Sequence, residues 1–210
     1  MRLALGSFGL ALVLGACGRG PTGTPPWTPS SPSTRDGHSA EPTPTPARAL
    51  PNLCPASEDR ATRAKGVLPD VTLHCLGSAE TVQLRRLTGR PILVNFWASW
   101  CGPCKVELPL LARAQEASDG AVSFVGVDVQ DSAEEAWKLL TELGVKYPQL
   151  EDPRGVTRGP FGWSGGLPLT VFVDGQGRMV GTERSPFRSF SEVRAAIDHH
   201  LGVSVRDVKP

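Results

Sequence analysis

The segment Ile92–Cys104, with the sequence ILVNFWASWCGPC, contains the features that decide the fold. Its first half, Ile92–Trp97, is almost continuously apolar, which is typical of a central β-strand buried on both faces. Trp100–Cys104 follows directly, and a helix is predicted from about Cys101 to Ala117. The chain therefore places two cysteines at the point where a buried strand gives way to a helix.

The spacing of these two cysteines indicates thiol–disulfide chemistry. Cys101 and Cys104 occupy positions i and i+3 of a first helical turn, so their sulfur atoms face the same way and can bond to each other. Unpaired backbone N–H groups and the helix dipole are expected to lower the thiol pKa of Cys101. We therefore expect Cys101 to attack and Cys104, more buried and less ionised, to resolve the mixed disulfide. Pro103 is tolerated here because its missing N–H would have no partner in a first turn.

The remainder of the C-terminal part shows strands and helices in alternation. Strands are predicted at residues 68–73, 81–84, 122–127 and 169–173, with a turn leading into 178–180, and helices at 132–143 and 190–201. Parallel strands separated by helices favour an α/β sheet.

Composition excludes several classes of protein. The 210 residues include 22 Lys and Arg against 21 Asp and Glu, which leaves no basic excess for binding nucleic acid. A hydrophobic content of 40% is too high for a wholly disordered chain. No apolar run approaches the roughly 20 residues of a membrane-spanning helix. We expect one globular domain at residues 53–205, followed by a C-terminal tail at 206–210.

The N-terminus has the pattern of a targeting signal. A short basic start precedes the apolar stretch Leu3–Ala16, which as a helix would span only about 21 Å of a roughly 30 Å hydrocarbon core. Residues 1–16 are therefore predicted to be a signal peptide. Leu14–Cys17 resembles a bacterial lipobox, which implies that Cys17 is lipidated and becomes the new N-terminus. The alternative is an ordinary cleavable signal with a cysteine nearby by chance.

A tether is predicted between this signal and the domain. Ten of the 20 prolines lie between residues 18 and 56, among many Gly, Ser and Thr. Such a segment has too little apolar surface to offset its ordering entropy. We expect residues 17–52 to be an extended, lipid-anchored spacer.

Three groups of residues carry a resemblance to a known family. They are Phe96–Cys104, then Glu107 with Pro109, and then Gly166–Thr170, which has the sequence GLPLT. Together and in this order they resemble the thioredoxin fold, and more narrowly the membrane-anchored thioredoxin-like proteins related to TlpA and ResA. The resemblance covers roughly residues 66–203.

The resemblance implies a fold and several roles. It implies a central mixed sheet flanked by helices, with an N-terminal β-hairpin and a central αβ insertion at residues 128–148. Pro109 matches a kink proline in the active-site helix. Pro168 matches the cis-proline loop that lies against the active-site cysteines and helps to dock substrate. The remaining residues of the motif, taken as active-site support, are Trp100, Gly102 and Pro103.

One departure from the family concerns proton transfer. Thioredoxins often carry a buried acid in the strand before the active site, where this chain has Asn95, and an amide cannot exchange a proton. Glu107 resembles an acid found in cytochrome-maturation members of the subfamily. Three residues beyond Cys104, it would lie on the same helix face and raise that thiol's pKa or relay its proton. The alternative is a solvent-exposed glutamate.

Other readings of the CxxC pair have less support. Structural zinc sites need four ligands, usually two such pairs, and Cys54 and Cys75 form no second CxxC. A copper-delivery protein of the Sco type would have a wider CxxxC and a distant histidine. None of the four histidines has that context, and His199–His200 is predicted to be the exposed end of a helix. A peroxiredoxin would use a lone cysteine. We expect neither a metal nor a cofactor.

Cys54 and Cys75 precede the active site in a chain predicted to be exported, where disulfides persist. A bridge between them would close a loop worth roughly 3 kcal/mol in chain entropy. We favour a structural disulfide. A second redox pair that exchanges with Cys101 and a pair of free thiols are the alternatives.

The resemblance implies an enzyme, an extracytoplasmic thiol–disulfide oxidoreductase acting on protein clients from a lipid anchor in a bacterial cell membrane. The Gly102–Pro103 dipeptide is that of thioredoxin and favours a reductant. A reductant outside the cytoplasm needs a membrane electron donor, such as a CcdA-like transporter. Apocytochrome c thiols are the leading client class, before general disulfide reduction. The alternatives are an oxidising folding catalyst and a redox-inert binding lipoprotein.

Overall fold

The computed structural model describes residues 54–55 and 68–207. The predicted signal peptide, Cys17 and the predicted tether lie outside the described residues, and the predicted domain boundaries stay predictions. The strands are β1 (Thr72–Cys75), β2 (Thr81–Gln83), β3 (Ile92–Trp97), β4 (Ser123–Val129), β5 (Gln149–Asp152), β6 (Leu169–Val173) and β7 (Met179–Glu183). The helices are α1 (Gly102–Ala117), α2 (Ala133–Leu143) and α3 (Phe190–Leu201), with a 3-10 turn at Leu84–Arg86.

The strands form one mixed sheet in the order β2-β1-β5-β4-β3-β6-β7. Parallel pairing is confined to the centre, where β4 lies between β3 and β5. The other pairs are antiparallel, and short turns join β1 to β2 and β6 to β7. With helices packed on this sheet, an N-terminal hairpin and α2 in the central insertion, the predicted thioredoxin-type α/β fold is confirmed. The antiparallel pairs at both edges make the sheet mixed, as the resemblance implies.

Three strands differ from the sequence prediction by more than two residues. The strand β5 was not predicted, because three of its four residues are polar. All of them except Glu151 are nevertheless buried, and β5 lies between β1 and β4. The first strand begins at Thr72 rather than at residue 68 and extends to Cys75, which is therefore a strand residue. The last strand is longer than predicted and reaches Glu183.

Alternate residues of the central strand β3 enter two hydrophobic cores. Leu93 and Trp97 lie in the core that contains the buried residues of α1, α2 and α3. Val94 and Phe96 lie in the core on the other face, where the ring of Phe96 packs against Trp163 with 5.7 Å between centroids. All six residues of β3 are buried, as the apolar run predicts. Within the described ranges, each helix is too short or too polar to cross a lipid bilayer.

Gly126 allows a polar side chain to cross the sheet on the helix-covered face. It lies in register between Asn95 of β3 and Gln149 of β5. The fully buried amide of Gln149 extends over Gly126 and accepts a 2.9 Å hydrogen bond from Nε1 of Trp97. A Cβ atom at Gly126 would overlap this amide. The absent side chain is thus what lets Gln149 reach the residue that ends β3.

Replacing Gly126 by alanine is expected to destabilise the fold by about 2–4 kcal/mol, through overpacking and loss of the bond to Trp97. Urea unfolding measures this change. Gly159→Ala is the matched control, since a Cβ there meets no atom within 4 Å. Equal stability of the two variants would contradict the role of Gly126.

Candidate active site

The strand β3 and the helix α1 position the two cysteines. β3 ends at Trp97 and α1 begins at Gly102, so Cys101 is the N-cap residue. Its Sγ accepts a 3.2 Å hydrogen bond from the backbone N–H of Cys104. The two cysteines are joined by a disulfide with 5.3 Å between their Cα atoms. Cys101 retains slight exposure while Cys104 has none, and the intervening Gly102 and Pro103 are exposed. Access to this disulfide is therefore from the side of Cys101.

The loop after β4 holds the residues that precede Cys101. The indole Nε1 of Trp100 donates a 3.0 Å hydrogen bond to the carbonyl of Gln130. The backbone N–H of Ser99 donates a 2.5 Å hydrogen bond to a carboxylate oxygen of Asp131. Trp100 is nevertheless 61% exposed, and its ring forms an apolar surface beside Cys101.

Pro168 lies at the same end of the sheet. The Leu167–Pro168 peptide bond is cis, and Pro168 is buried directly before β6. The first residue of β6, Leu169, pairs with Phe96 near the end of β3. Leu167 packs against the same core cluster as both active-site cysteines. The strand register thus brings the Pro168 loop and the CxxC motif together, although they are distant in sequence.

Glu107 lies on the buried face of the active-site helix α1. Its carboxylate accepts a 3.4 Å hydrogen bond from Nδ2 of Asn95 and a 3.5 Å hydrogen bond from the backbone N–H of Phe187. Burial raises the pKa of Glu107 from 4.5 to about 7, and these hydrogen bonds limit the rise. The alternative of a solvent-exposed glutamate is excluded, because the residue is only 1% exposed. Glu107 and the equally buried Cys104 lie one turn apart on α1.

Asn95 occupies the position where the family often carries an acid. Its Nδ2 also donates a 3.1 Å hydrogen bond to the hydroxyl of Thr170 on β6. Its Oδ1 is buried and has no hydrogen-bond partner within the described ranges. Rotation of this amide by 180° would present an acceptor to Glu107 instead of a donor. Asn95 is thus able to bond Glu107 in either protonation state.

A second buried acid, Asp128, was not predicted from the sequence. It lies on β4 beside Trp97 and Glu151, and it is 2% exposed. Burial, with a smaller contribution from the nearby carboxylates of Asp131 and Glu151, raises the pKa of Asp128 to about 9. An acid within the apolar run of β4 was the signal that could have identified it.

Cys54 and Cys75 are joined by the second disulfide, with 5.4 Å between their Cα atoms. Cys75 is buried at the end of β1. The carboxylate of Glu80 lies close enough that one of its oxygens and the two sulfurs fall within 4.8 Å of one another. Because the sulfurs are bonded to each other, they are not thiolates available to a metal ion.

One prediction about the histidines was wrong in part. His199 is exposed, but the ring of His200 stacks on Phe172 with 4.5 Å between centroids. Its Nε2 lies 3.1 Å from a carboxylate oxygen of Glu183 on β7. The close approach of α3 to β6 and β7 covers this end of the helix.

The raised pKa of Glu107 predicts a pH-dependent stability. Because the folded state holds this proton more tightly than the unfolded state, ionisation opposes folding as pH rises from about 4.5 to about 7. Glu107→Gln is expected to remove this loss of stability, which amounts to roughly 3 kcal/mol in the free energy of unfolding above pH 7. Urea unfolding of the oxidised proteins at several pH values measures it.

Glu116→Gln, on the exposed side of the same helix, is the control and should leave the pH profile unchanged. Asp128→Asn should remove a further loss of stability, caused by ionisation of Asp128, that continues as the pH rises to about 9. Identical pH profiles for wild type and Glu107→Gln would show that ionisation of Glu107 is not coupled to folding.

Comparison with known proteins places this geometry in a family. The Redoxin family model matches residues 63–197. The thiol:disulfide interchange protein HelX of Rhodobacter capsulatus is 38% identical over 113 residues, covering 53% of this chain and 62% of HelX. The thiol-disulfide oxidoreductase ResA of Oceanobacillus iheyensis is 27% identical over 126 residues, covering 58% and 65%. The chain thus spans just under two thirds of the length of each of these relatives.

A solved structure gives the same assignment. The structure of MTB DsbF in mixed oxidised and reduced forms superimposes with a TM-score of 0.56 at 27% identity, covering 63% of this chain and 96% of that chain. The enzyme class predicted for the CxxC pair is the class named for HelX and ResA. The predicted resemblance is confirmed, and the chain belongs to the Redoxin family, among thioredoxin-like relatives of the ResA and HelX type.

Proposed function

We propose that the protein is a thiol–disulfide oxidoreductase that reduces disulfides of protein clients outside the cytoplasm. The observation that carries this proposal is the Cys101–Cys104 disulfide at the N-terminus of α1. Reduced Cys101 would lie where backbone N–H groups and the helix dipole stabilise a thiolate. The names of the relatives support the reaction class.

The reaction transfers two electrons and two protons to the client. The Cys101 thiolate attacks a client disulfide, forms a mixed disulfide and releases one client thiolate, which takes up a proton. The Cys104 thiol then loses its proton and attacks Cys101 Sγ, which leaves the Cys101–Cys104 disulfide and frees the second client thiolate, which takes up the second proton. The greater burial of Cys104 supports this division of roles.

Glu107 is proposed to accept the proton from Cys104. It is the buried acid one turn along α1, and burial raises its pKa to about 7, so it exchanges protons near neutral pH. Its partner Asn95 stays neutral throughout. A carboxylate at this depth also raises the pKa of the Cys104 thiol and keeps that thiol from attacking prematurely.

Client docking is proposed to use the surfaces on both sides of Cys101. Trp100 is exposed directly before Cys101, and the loop ending at Pro168 lies at the same end of the sheet. Gly102 and Pro103 are exposed and place no long side chain between the cysteines, and Cys101 retains slight exposure. The Cys54–Cys75 disulfide is proposed to be structural, since Cys75 is buried at the end of β1.

The physiological setting of this proposal is a bacterial cell membrane. A lipid on Cys17 and the tether at residues 17–52 would keep the domain close to a membrane electron donor of the CcdA type. Such a donor would reduce the Cys101–Cys104 disulfide after each turnover. The resemblance to TlpA and ResA makes apocytochrome c thiols, before haem attachment, the first client class to test.

The reduction potential of the Cys101–Cys104 pair tests the direction. Gly102–Pro103 places no cation between the cysteines to favour the reduced form, so we expect a value nearer to thioredoxin, at about −270 mV, than to DsbA, at about −120 mV. That gap corresponds to roughly 7 kcal/mol for two electrons. Equilibration with glutathione buffers measures the potential. A value above about −180 mV would indicate an oxidant and overturn the proposed direction.

Single cysteine variants test the roles. Cys104→Ser is expected to accumulate mixed disulfides with clients, because the resolving thiol is missing. Cys101→Ser should trap no clients and should lose activity. Non-reducing electrophoresis with mass spectrometry of the trapped species measures both results. Trapping by Cys101→Ser but not by Cys104→Ser would reverse the assignment.

A further inference from the structure

Asp152, at the end of β5, organises the loop that leads to Pro168. Its carboxylate is 1% exposed and accepts hydrogen bonds from the backbone N–H groups of Val156 and Thr157, at 2.8 and 2.9 Å. A third bond, of 2.6 Å, comes from the hydroxyl of Thr157. Gly155 completes this turn with a φ of +66°. The residue that follows the turn, Arg158, therefore leaves it in a defined direction.

Arg158 connects two loops through one guanidinium group. Its Nη1 donates a 2.7 Å hydrogen bond to the side-chain Oε1 of Gln130, and its Nη2 donates a 3.0 Å hydrogen bond to the carbonyl of Gly165. The guanidinium also lies 4.6 Å from the ring centroid of Trp163. The indole Nε1 of Trp163 donates to the carbonyl of Gly166, at 3.1 Å. Arg158 and Trp163 together thus hold the two glycines that precede Leu167–Pro168.

The other partner of Arg158 is the residue that holds Trp100. The backbone carbonyl of Gln130 accepts the hydrogen bond from the Trp100 indole, while its backbone N–H donates to the carbonyl of Asp152, at 3.0 Å. Its side chain packs closely against Gly155, where a Cβ would lie 3.2 Å from Cγ and Cδ of Gln130. A continuous set of contacts therefore runs from Trp100 through Gln130 and Arg158 to Gly165.

We propose that Arg158 is a positioning residue that fixes the separation between the two walls of the client cleft, Trp100 on one side and Gly165–Pro168 on the other. This inference rests on the proposed function, because the cleft matters only if a client enters it. The planar fork of arginine directs separate N–H groups to two loops at once, which a lysine ammonium on a flexible stem does not reproduce. Its two hydrogen-bond acceptors are the side-chain oxygen of Gln130 and the backbone carbonyl of Gly165. The guanidinium group also packs on the aromatic face of Trp163.

Arg158 acts on binding rather than on the chemical step. Within the described ranges, none of its hydrogen bonds reaches Cys101, Cys104 or Glu107. Loosening the cleft therefore weakens docking of a peptide that contacts both walls, while the reactivity of Cys101 is preserved. A small disulfide that touches only the sulfur is unaffected.

The test uses Arg158→Ala and Arg158→Lys in the full-length protein. A quenched fluorescent peptide with one disulfide, turned over with dithiothreitol, gives KM and kcat, and Ellman's reagent gives the reactivity of Cys101 with a small disulfide. For Arg158→Ala we expect KM to rise about three- to ten-fold, with kcat, the reaction with Ellman's reagent and the reduction potential unchanged. Arg158→Lys should fall in between. Arg154→Ala, exposed in the same loop, is the control and should match wild type.

A second variant tests whether Arg158 acts through its hydrogen bond to Gln130. Gln130→Asn shortens the side chain and suits the φ of +54° at this position. Combined with Arg158→Ala, it should add nothing to KM beyond the larger single effect, and additive effects would contradict the coupling. An unchanged KM, or equal losses with the peptide and with Ellman's reagent, would overturn the inference while leaving the proposed function intact. A wild type that reduces no peptide would overturn both.

Discussion

The hydrogen bond from the Cys104 N–H to Cys101 Sγ is the constraint on which the rest of the structure depends. It requires a helix to begin directly beyond the carboxyl end of a strand, and that strand, β3, is buried on both faces. The sheet and helices around β3 therefore determine where the two cysteines lie in the fold. A thiol placed there receives the field of the helix N-terminus.

Buried polar residues on the face of the sheet covered by α1 depart from the usual apolar composition of a central sheet. Parallel strands buried on both faces are normally apolar throughout. Here Asn95, Gln149 and Thr170 lie buried on the helix-covered face, each with a hydrogen-bond partner. Glu107 and Asp128 lie buried at the same end, and desolvation raises the pKa of both carboxyls. Such departures from local rules are expected at functional sites.

The surface around Cys101 is formed by loops, and the hydrogen bonds that hold these loops are made to residues other than the cysteines. The loop after β4 holds Trp100, and the loop after β5 carries the approach to Pro168. Arg158 connects these two loops through its hydrogen bonds to Gln130 and Gly165, a contact that only the tertiary structure provides. The two cysteines are thus positioned by α1 and β3, whereas the residues around them are positioned by the loops.

The sequence by itself determined β3, the start of α1 and the pairing of Cys101 with Cys104, because these depend on apolar runs and on spacing within one helical turn. The edges of the sheet, the burial of Glu107 and the contacts of Arg158 were decided only by the tertiary structure. Glu107 bonds Asn95 and the N–H of Phe187, which are 12 and 80 residues away in sequence. Local periodicity carries no information about such partners. The physical reason is that a polar side chain becomes buried, and its pKa shifts, through groups brought to it by strand register and loop packing.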